Sequence, residues 1–253
     1  MMFFQDPSLL SFQRRMQDRM QDNNLKAIFA VARIPSDSAL RQTLDNIPTL
    51  AIQSAFPMLL KRLQRGKQLD AYKLESGHHL IALDGSQYFT SEKIHCPSCL
   101  TYKGAKGATR YSHQILQAVM LNPHLRQVLP LAPEPIANTD GQSKQDCEIN
   151  AGKRMVANIR SQHPKLPVII VGDGLYSKQP FIDAVKQSRM SYILVAKPDD
   201  HKVLFEWVRE LQALDDGGSL DVTDKKGRKH RYRWVNSVPL NGFKDADNIN
   251  FFE

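Results

Sequence analysis

Two short apolar runs, each followed at once by an aspartate and a glycine, constrain the fold of this chain most strongly. Residues 79–83 (HLIAL) lead into Asp84, and residues 167–172 (PVIIVG) lead into Asp173. Short apolar runs bounded by turn residues are typical of buried strands, and both strands are predicted to end at the acid. Because ligands gather at the carboxyl ends of strands in open α/β sheets, this end of the sheet is where we expect chemistry.

Helical spacing of apolar residues precedes the first of these runs. It predicts a helix over 8–33, a second that starts at 34–37 and a third over 49–69, perturbed by Pro57. Further along the chain, apolar runs typical of strands and apolar spacings typical of helices follow one another. They predict strands at 114–121, 127–131 and 191–196, the second at a sheet edge because of its prolines, and helices at 143–162, 176–189 and 201–214.

The order of these elements predicts an α/β fold with a mixed sheet flanked by helices, because strands come first in a group and then alternate with helices. After 214 the pattern changes to short strand-like runs between turn signals, which predicts a β-rich segment. The expected domains are an N-terminal helical region over 1–77, a catalytic core over 78–214 and a β-rich insertion over 215–253.

Composition narrows the class of protein. The chain has 253 residues, 42% of them hydrophobic, so it can bury a sizeable core. Its net charge of +8 favours an anionic partner. Three cysteines are too few for a disulfide framework, and no uncharged apolar run reaches a membrane-spanning length, so we expect a cytoplasmic protein without a membrane partner.

The two aspartates would be neighbours if their strands lie side by side and run parallel. Two close carboxylates repel each other unless a cation lies between them, and Mg²⁺ or Mn²⁺ is the natural partner of oxygen ligands. Glycines at 85, 172 and 174 would let backbone and a phosphate approach closely. The alternative is that each Asp-Gly pair is only a turn that ends a strand.

Four segments resemble a known family. They are LIALDGSQYF around Asp84, KQDCEINAGKR around Glu148, VIIVGDGLYS around Asp173 and SYILVAKPD ending near Lys197. In this order they resemble the DDE-type insertion-sequence transposases of bacteria, which have an RNase H-like core. The segments DPSLLSFQ and IPSDSALRQTLD resemble the N-terminal helical region of that family, so the resemblance spans nearly the whole chain.

The resemblance implies a reaction and its residues. In that family three carboxylates hold two divalent ions, Mg²⁺ or Mn²⁺, which activate water or a DNA 3′-hydroxyl to attack a phosphodiester. Asp84 would be the first acid and Asp173 the second. The third is a glutamate in a later helix, in the pattern Y-x-x-R-x-x-x-E, and this sequence does not contain that pattern.

The β-rich segment resembles the opening of an insertion that precedes that helix. We therefore expect a C-terminally truncated transposase that lacks the third acid, leaving its two-metal site incomplete. Its expected partners are the transposon ends and target DNA, and the full-length protein would form a homo-oligomer.

Glu148 is an alternative third acid. It lies on the helix before the second acidic strand, and RNase H nucleases, which share the fold, place a metal-binding acid on the corresponding helix. The other interpretation is a glutamate that faces substrate or forms a salt bridge with the nearby Lys144 and Arg154.

A C-x-x-C pair at Cys96 and Cys99 has the spacing of half a zinc site. Cys147 together with His95 or His113 could supply the missing ligands if the fold brings them together. Free or buried thiols and a redox pair are the alternatives.

Six of the nine residues from 225 to 233 are basic. On a strand, its basic residues would alternate with aromatic ones, which suits phosphates on one face and base stacking or packing on the other. An edge strand protected by charges is the alternative. The expected DNA-binding residues are Lys225, Lys226, Arg228, Lys229, Arg231 and Arg233, together with Lys197 at the end of a core strand.

Two other functions fit parts of the sequence. A non-catalytic DNA-binding remnant of a transposase would explain the missing glutamate together with the basic cluster. A small-molecule phosphotransfer or hydrolase domain is disfavoured, because no glycine-rich phosphate loop of the known types follows a strand.

Overall fold

The computed structural model describes residues 8–17, 27, 30, 33–47, 49–104, 107–138, 145–244 and 246–253. The chain divides into two compact units, Met1–Met58 and Leu59–Glu253. The domain boundaries expected from the sequence stay predictions. No helix within the described ranges is both long enough and apolar enough to span a lipid bilayer.

The first unit is helical. Helix α1 spans Leu9–Met16 and α2 spans Asp37–Asp45, which begins within the start predicted at 34–37. Ser36 caps α2, its Oγ accepting from the Ala39 amide at 3.2 Å. The remainder of the helix predicted over 8–33 lies largely outside the described residues.

The helix predicted over 49–69 is divided in two. Helix α3 spans Thr49–Gln53 and α4 spans Ala55–Arg65, and a 3₁₀ turn over Gln68–Tyr72 follows. A proline ring clashes with the carbonyl four residues earlier, which for Pro57 is that of Gln53. The perturbation expected at Pro57 is therefore a complete break.

The second unit is built on a mixed sheet, and its organisation confirms the predicted α/β class and is compatible with an RNase H-like fold. The path of hydrogen-bonded strands is β2-β3-β1-β6-β7, and β4 and β5 also pair with β3. The strands are β1 His79–Ser91, β2 Leu100–Lys103, β3 Thr109–Leu121, β4 Leu129–Pro130, β5 Glu134–Ile136, β6 Val168–Gly172 and β7 Ser191–Leu194. Strand β1 pairs with β3 antiparallel and with β6 parallel, and β6 pairs with β7 parallel.

Helices connect the parallel strands and cover the sheet. Helix α5 spans Glu148–Gln162, α6 spans Gln179–Gln187 and α7 spans Lys202–Ala213. The main core packs the buried residues of α5 and α6 against those of the strands, with Met155, Val156 and Phe181 from the helices and Ile81 and Ile170 from the sheet.

The β-rich segment is confirmed as a separate three-stranded sheet. Strands β8 Gly218–Thr223, β9 Lys229–Pro239 and β10 Asn248–Phe252 pair antiparallel, with β9 in the middle. Buried Val235, Val238 and Phe251 form a second core with Leu204 and Val208 of α7. The segment is therefore packed onto the rest of this unit through its own apolar residues.

Strand β1 does not end at Asp84, which corrects the sequence prediction. It continues to Ser91, because β3 supplies partners along this whole stretch, from Asp84 opposite Gln117 to Ser91 opposite Tyr111. The pairing with β6 is the one that stops early, at Ala82 opposite Val171. In the described residues, α5 also begins at Glu148 and α6 at Gln179, later than predicted.

Candidate functional site

Asp84 lies on β1, and Asp173 directly follows the last residue of the neighbouring parallel strand β6. Ala82 of β1 lies opposite Val171 of β6, so the same register extended by two residues aligns Asp84 with Asp173. Residues in register on parallel strands face the same side of a sheet. Both side chains are exposed. By this extended register we expect the two aspartates at adjacent positions where β6 ends.

Glu148 adds a third carboxylate against Gly85, the residue that follows Asp84. It is the first residue of α5, and its carboxylate lies so close to Gly85 that a Cβ atom there would overlap Oε1, Oε2 and the carboxyl carbon. Glycine at 85 is therefore needed for the side chain of Glu148 to approach the strand.

Tyr176 holds Glu148 in this position. Its hydroxyl donates a 2.5 Å hydrogen bond to Oε1 of Glu148, and its ring is buried. Burial raises the pKa of Tyr176, and the hydrogen bond to Glu148 and the negative charges of Glu148, Asp173 and Asp84 raise it further. All three carboxylates thus lie near enough to act on one phenol. The sequence analysis did not identify Tyr176; its apolar ring three residues after Asp173 was the available signal.

Lys197 also reaches this edge of the sheet. Its side-chain carbons lie against Gly174, where an added Cβ would be 2.9 Å from Cε. Gly172 is packed in the same way against the ring of Tyr176. The glycines at 85, 172 and 174 were expected to admit a phosphate, but the space beside each of them is filled by a side chain of the protein.

A buried pair supports the turn that follows Asp173. The Leu175 amide donates to Oδ1 of Asp173 at 2.9 Å. Ser177 Oγ donates to the Gly174 carbonyl at 2.9 Å and lies 2.8 Å from Nε2 of His201. Burial lowers the pKa of His201. These contacts fix the turn, and no local pattern predicts them because Ser177 and His201 are 24 residues apart.

Arg154 does not pair with Glu148, which removes one alternative for that glutamate. The guanidinium of Arg154 binds Glu134 at 2.6 Å and Asp146 at 2.7 Å instead. These hydrogen bonds raise the pKa of Arg154. Lys144, the other expected partner, lies outside the described residues.

The basic segment alternates as predicted. Along β9 the basic residues are exposed, whereas His230, Tyr232 and Trp234 are half-buried. Because β9 is the middle strand of its sheet, the alternative of a charge-protected edge strand is wrong.

The arginines of this segment are paired with acids. Arg228 binds Asp224 at 2.7 Å, Arg231 binds Asp221 at 2.8 Å and Arg233 binds Glu253 at 2.8 Å. No described carboxylate forms an ion pair with the three lysines of the segment, which are Lys225, Lys226 and Lys229. The positive charge of this segment that no described acid neutralises is therefore carried by the lysines.

A second cluster forms next to the pairing of β2 with β3. The Sγ atoms of Cys96 and Cys99 are 3.7 Å apart, and Nε2 of His113 is 3.3 Å from the first and 3.4 Å from the second. Cys147 precedes α5 as its N-cap and is not part of this group, and His95 stacks on Tyr111 at 4.4 Å.

The two clusters differ in spacing. Among the described residues, the only group of three or more His, Cys, Asp or Glu side chains with all ligand atoms within 4.8 Å of one another is that of Cys96, Cys99 and His113. The carboxylates of Asp84, Glu148 and Asp173 are spread more widely. Carboxylate oxygens are the ligand type that Mg²⁺ and Mn²⁺ prefer, so the donor set fits these ions.

Comparisons with known proteins identify no family for this chain. No protein-family model matches it, and no curated protein is similar to it. Among solved structures it is similar to a piggyBac transposase synaptic complex with hairpin DNA, at 11% identity and a TM-score of 0.34. The similarity covers 96% of this chain and 49% of that one, so this chain spans about half its length. At this TM-score the similarity establishes neither a shared fold nor a shared activity.

Proposed function

We propose that this chain is a metal-dependent polynucleotidyl transferase of the DDE transposase kind, which cleaves DNA phosphodiesters and joins DNA strands. One observation carries the proposal, the alignment of Asp84 and Asp173 where β6 ends, with the Glu148 carboxylate against the neighbouring Gly85. Exposed carboxylates at neighbouring positions present the oxygen ligands that a divalent cation prefers, which favours a binding function over a structural one.

Each residue of the cluster has a role in this proposal. Asp84 and Asp173 hold the metal, and Glu148, oriented by the Tyr176 hydroxyl, takes the place of the third acid. Bound there, Mg²⁺ or Mn²⁺ would neutralise charge on the phosphodiester and on the attacking and leaving oxygens. Lys197, whose side chain crosses Gly174, supplies a positive charge for the DNA backbone.

Titration of Mn²⁺ by calorimetry tests the metal site directly. We expect Asp84→Asn and Asp173→Asn each to weaken Mn²⁺ binding by about tenfold or more, because each removes a charged ligand. Glu148→Gln should weaken binding as well, whereas Asp216→Asn, at an exposed aspartate outside the cluster, should bind as the unmodified chain does. Unchanged Mn²⁺ affinity in both aspartate variants would remove the proposal.

A nicking assay then tests the chemistry. Incubation with supercoiled plasmid and Mn²⁺ should yield nicked DNA that depends on the metal and is lost in Asp84→Asn and Asp173→Asn. Nicking that persists in both variants would show that another site, or a contaminant, carries it.

A non-catalytic DNA-binding protein is the second candidate, and the three lysines between 225 and 229, for which the described residues supply no acidic partner, favour it. It predicts DNA binding that weakens steeply with salt, does not require a divalent metal and is accompanied by no nicking. Salt-independent binding, or none, would exclude it.

A further inference from the structure

The group formed by Cys96, Cys99 and His113 lies apart from the carboxylates, and the proposed reaction makes no use of it. Sulfur and imidazole nitrogen are the ligands that zinc prefers, whereas the carboxylate cluster offers only oxygen. The two clusters therefore suit different metals.

The distances within the group are those of ligands around one centre. With zinc bonds of about 2.3 Å to sulfur and about 2.0–2.1 Å to nitrogen, tetrahedral ligand atoms are separated by about 3.5–3.8 Å. The observed separations are 3.7, 3.3 and 3.4 Å. Three atoms so arranged can all lie about 2 Å from a common point.

The fold itself produces this convergence. Leu100 of β2 lies opposite Ser112 of β3, so the next antiparallel position brings Cys99 opposite His113. The turn between the cysteines closes through the Cys99 amide, which donates to the Cys96 carbonyl at 3.1 Å, and the Cys96 amide donates to Sγ of Cys99 at 3.3 Å. Both thiols therefore point at the same imidazole nitrogen.

The alternatives fit this geometry less well. A disulfide requires sulfurs about 2.05 Å apart, and these lie at 3.7 Å. Unrelated thiols would not both be expected within 3.4 Å of one ring nitrogen.

We propose that Cys96, Cys99 and His113 bind one zinc ion, which fastens the segment between β1 and β2 to strand β3. Cys96 is exposed, so a water molecule can complete the tetrahedron. Of the further ligands that the sequence suggested, His113 belongs to this group and Cys147 and His95 do not. This site is independent of the proposed carboxylate chemistry.

Metal analysis of the full chain, purified in a reducing buffer with a non-thiol reductant, tests the proposal. We expect one equivalent of zinc per chain by mass spectrometry. After chelation, added Co²⁺ should produce the thiolate-to-metal absorption that only cysteine ligands give. If the unmodified chain gives neither bound zinc nor the cobalt absorption, the proposal is overturned.

Variants locate the site. Cys96→Ser, at an exposed position, and His113→Asn should each weaken zinc binding by about 100-fold or more, because a zinc site loses a large share of its affinity with each ligand. Cys147→Ser is the matched control and should retain both the zinc and the cobalt absorption. Zinc retained in Cys96→Ser, or lost in Cys147→Ser to the same extent, would overturn the assignment, provided that far-ultraviolet circular dichroism shows a folded chain.

Discussion

Single residues at the acidic cluster are selected by close packing as much as by chemistry. Gly85 faces the Glu148 carboxylate, Gly174 faces Lys197 and Gly172 faces Tyr176. Each glycine therefore makes room for a particular side chain of the protein, and the cluster depends on the absence of a Cβ atom at these positions.

Gly85→Ala tests this dependence. The added methyl would overlap the Glu148 carboxylate and displace it from the Tyr176 hydroxyl, so we expect the free energy of unfolding in urea to fall by about 1 kcal/mol. Gly242→Ala is the matched control, because its nearest side-chain atom would be 3.7 Å away. In the double variant with Glu148→Ala, the alanine at 85 should cost much less. Strictly additive costs would contradict the packing explanation.

At the scale of elements, strand β9 and the turn before it carry two kinds of basic residue. Its arginines and that of the preceding turn are held by acids on β8, in the turn and at residue 253, whereas the lysines have no described acidic partner. An ion-paired arginine has less charge to offer a phosphate than a solvated lysine. We therefore expect the lysines to contribute most of the DNA affinity of this segment.

A comparison of two triple variants measures this difference. Glutamine replaces three lysines in one variant and three arginines in the other, and the sets are Lys225, Lys226 and Lys229 against Arg228, Arg231 and Arg233. By fluorescence anisotropy with duplex DNA, the lysine variant should bind more weakly. For the lysine variant, the slope of log K against the logarithm of the salt concentration should become less steep by about 0.9 for each phosphate that the variant no longer neutralises. Equal effects of the two variants would contradict the expectation.

Elements whose pattern is local were predictable from the sequence. Strand β6 lies within the apolar run 167–172, and α2 begins at Asp37, within the start predicted at 34–37. The far half of β1 was not predictable, because DGSQYFTS is polar and its strand conformation depends on pairing with β3. Strand β5 was missed because it has only three residues, one of them a proline, and follows a segment with two more prolines.

The same distinction holds for the candidate sites. The sequence identified Asp84, Asp173 and Glu148 through their place on elements, but the support from Tyr176 depends on tertiary contact. For the thiols it added Cys147 and could not choose between His95 and His113 as a further ligand. That choice depends on the register of β2 against β3, which no local spacing reveals.

At the scale of the whole molecule, buried histidines link stability to pH. Burial lowers the pKa of His79, His163 and His201 below the ordinary value of 6.5. His79 has no hydrogen-bond partner at Nε2 in the described structure, which also favours its neutral form. In the unfolded chain these side chains take up protons near pH 6.5, before they do so in the folded chain. Their contribution to stability is therefore present above that pH and is lost as the pH falls below it.

Denaturant unfolding measured from about pH 7.5 down to about pH 5 should show this loss. The free energy of unfolding should decrease with falling pH, and His201→Gln should flatten the decrease, since a glutamine amide cannot be protonated in this range. His124→Gln, at an exposed histidine, should leave the slope unchanged. A stability that rises towards pH 5 would contradict the explanation.

The early end of the β1 to β6 pairing gives the two aspartates different mechanical properties. Asp84 is paired with β3, and the residues before and after it in the chain are paired with β3 as well. Asp173 lies just past the last residue of β6, in a turn secured by only a few hydrogen bonds. We therefore expect any change in the distance between these two carboxylates to come from movement of the turn that carries Asp173, while the strand that carries Asp84 stays in place.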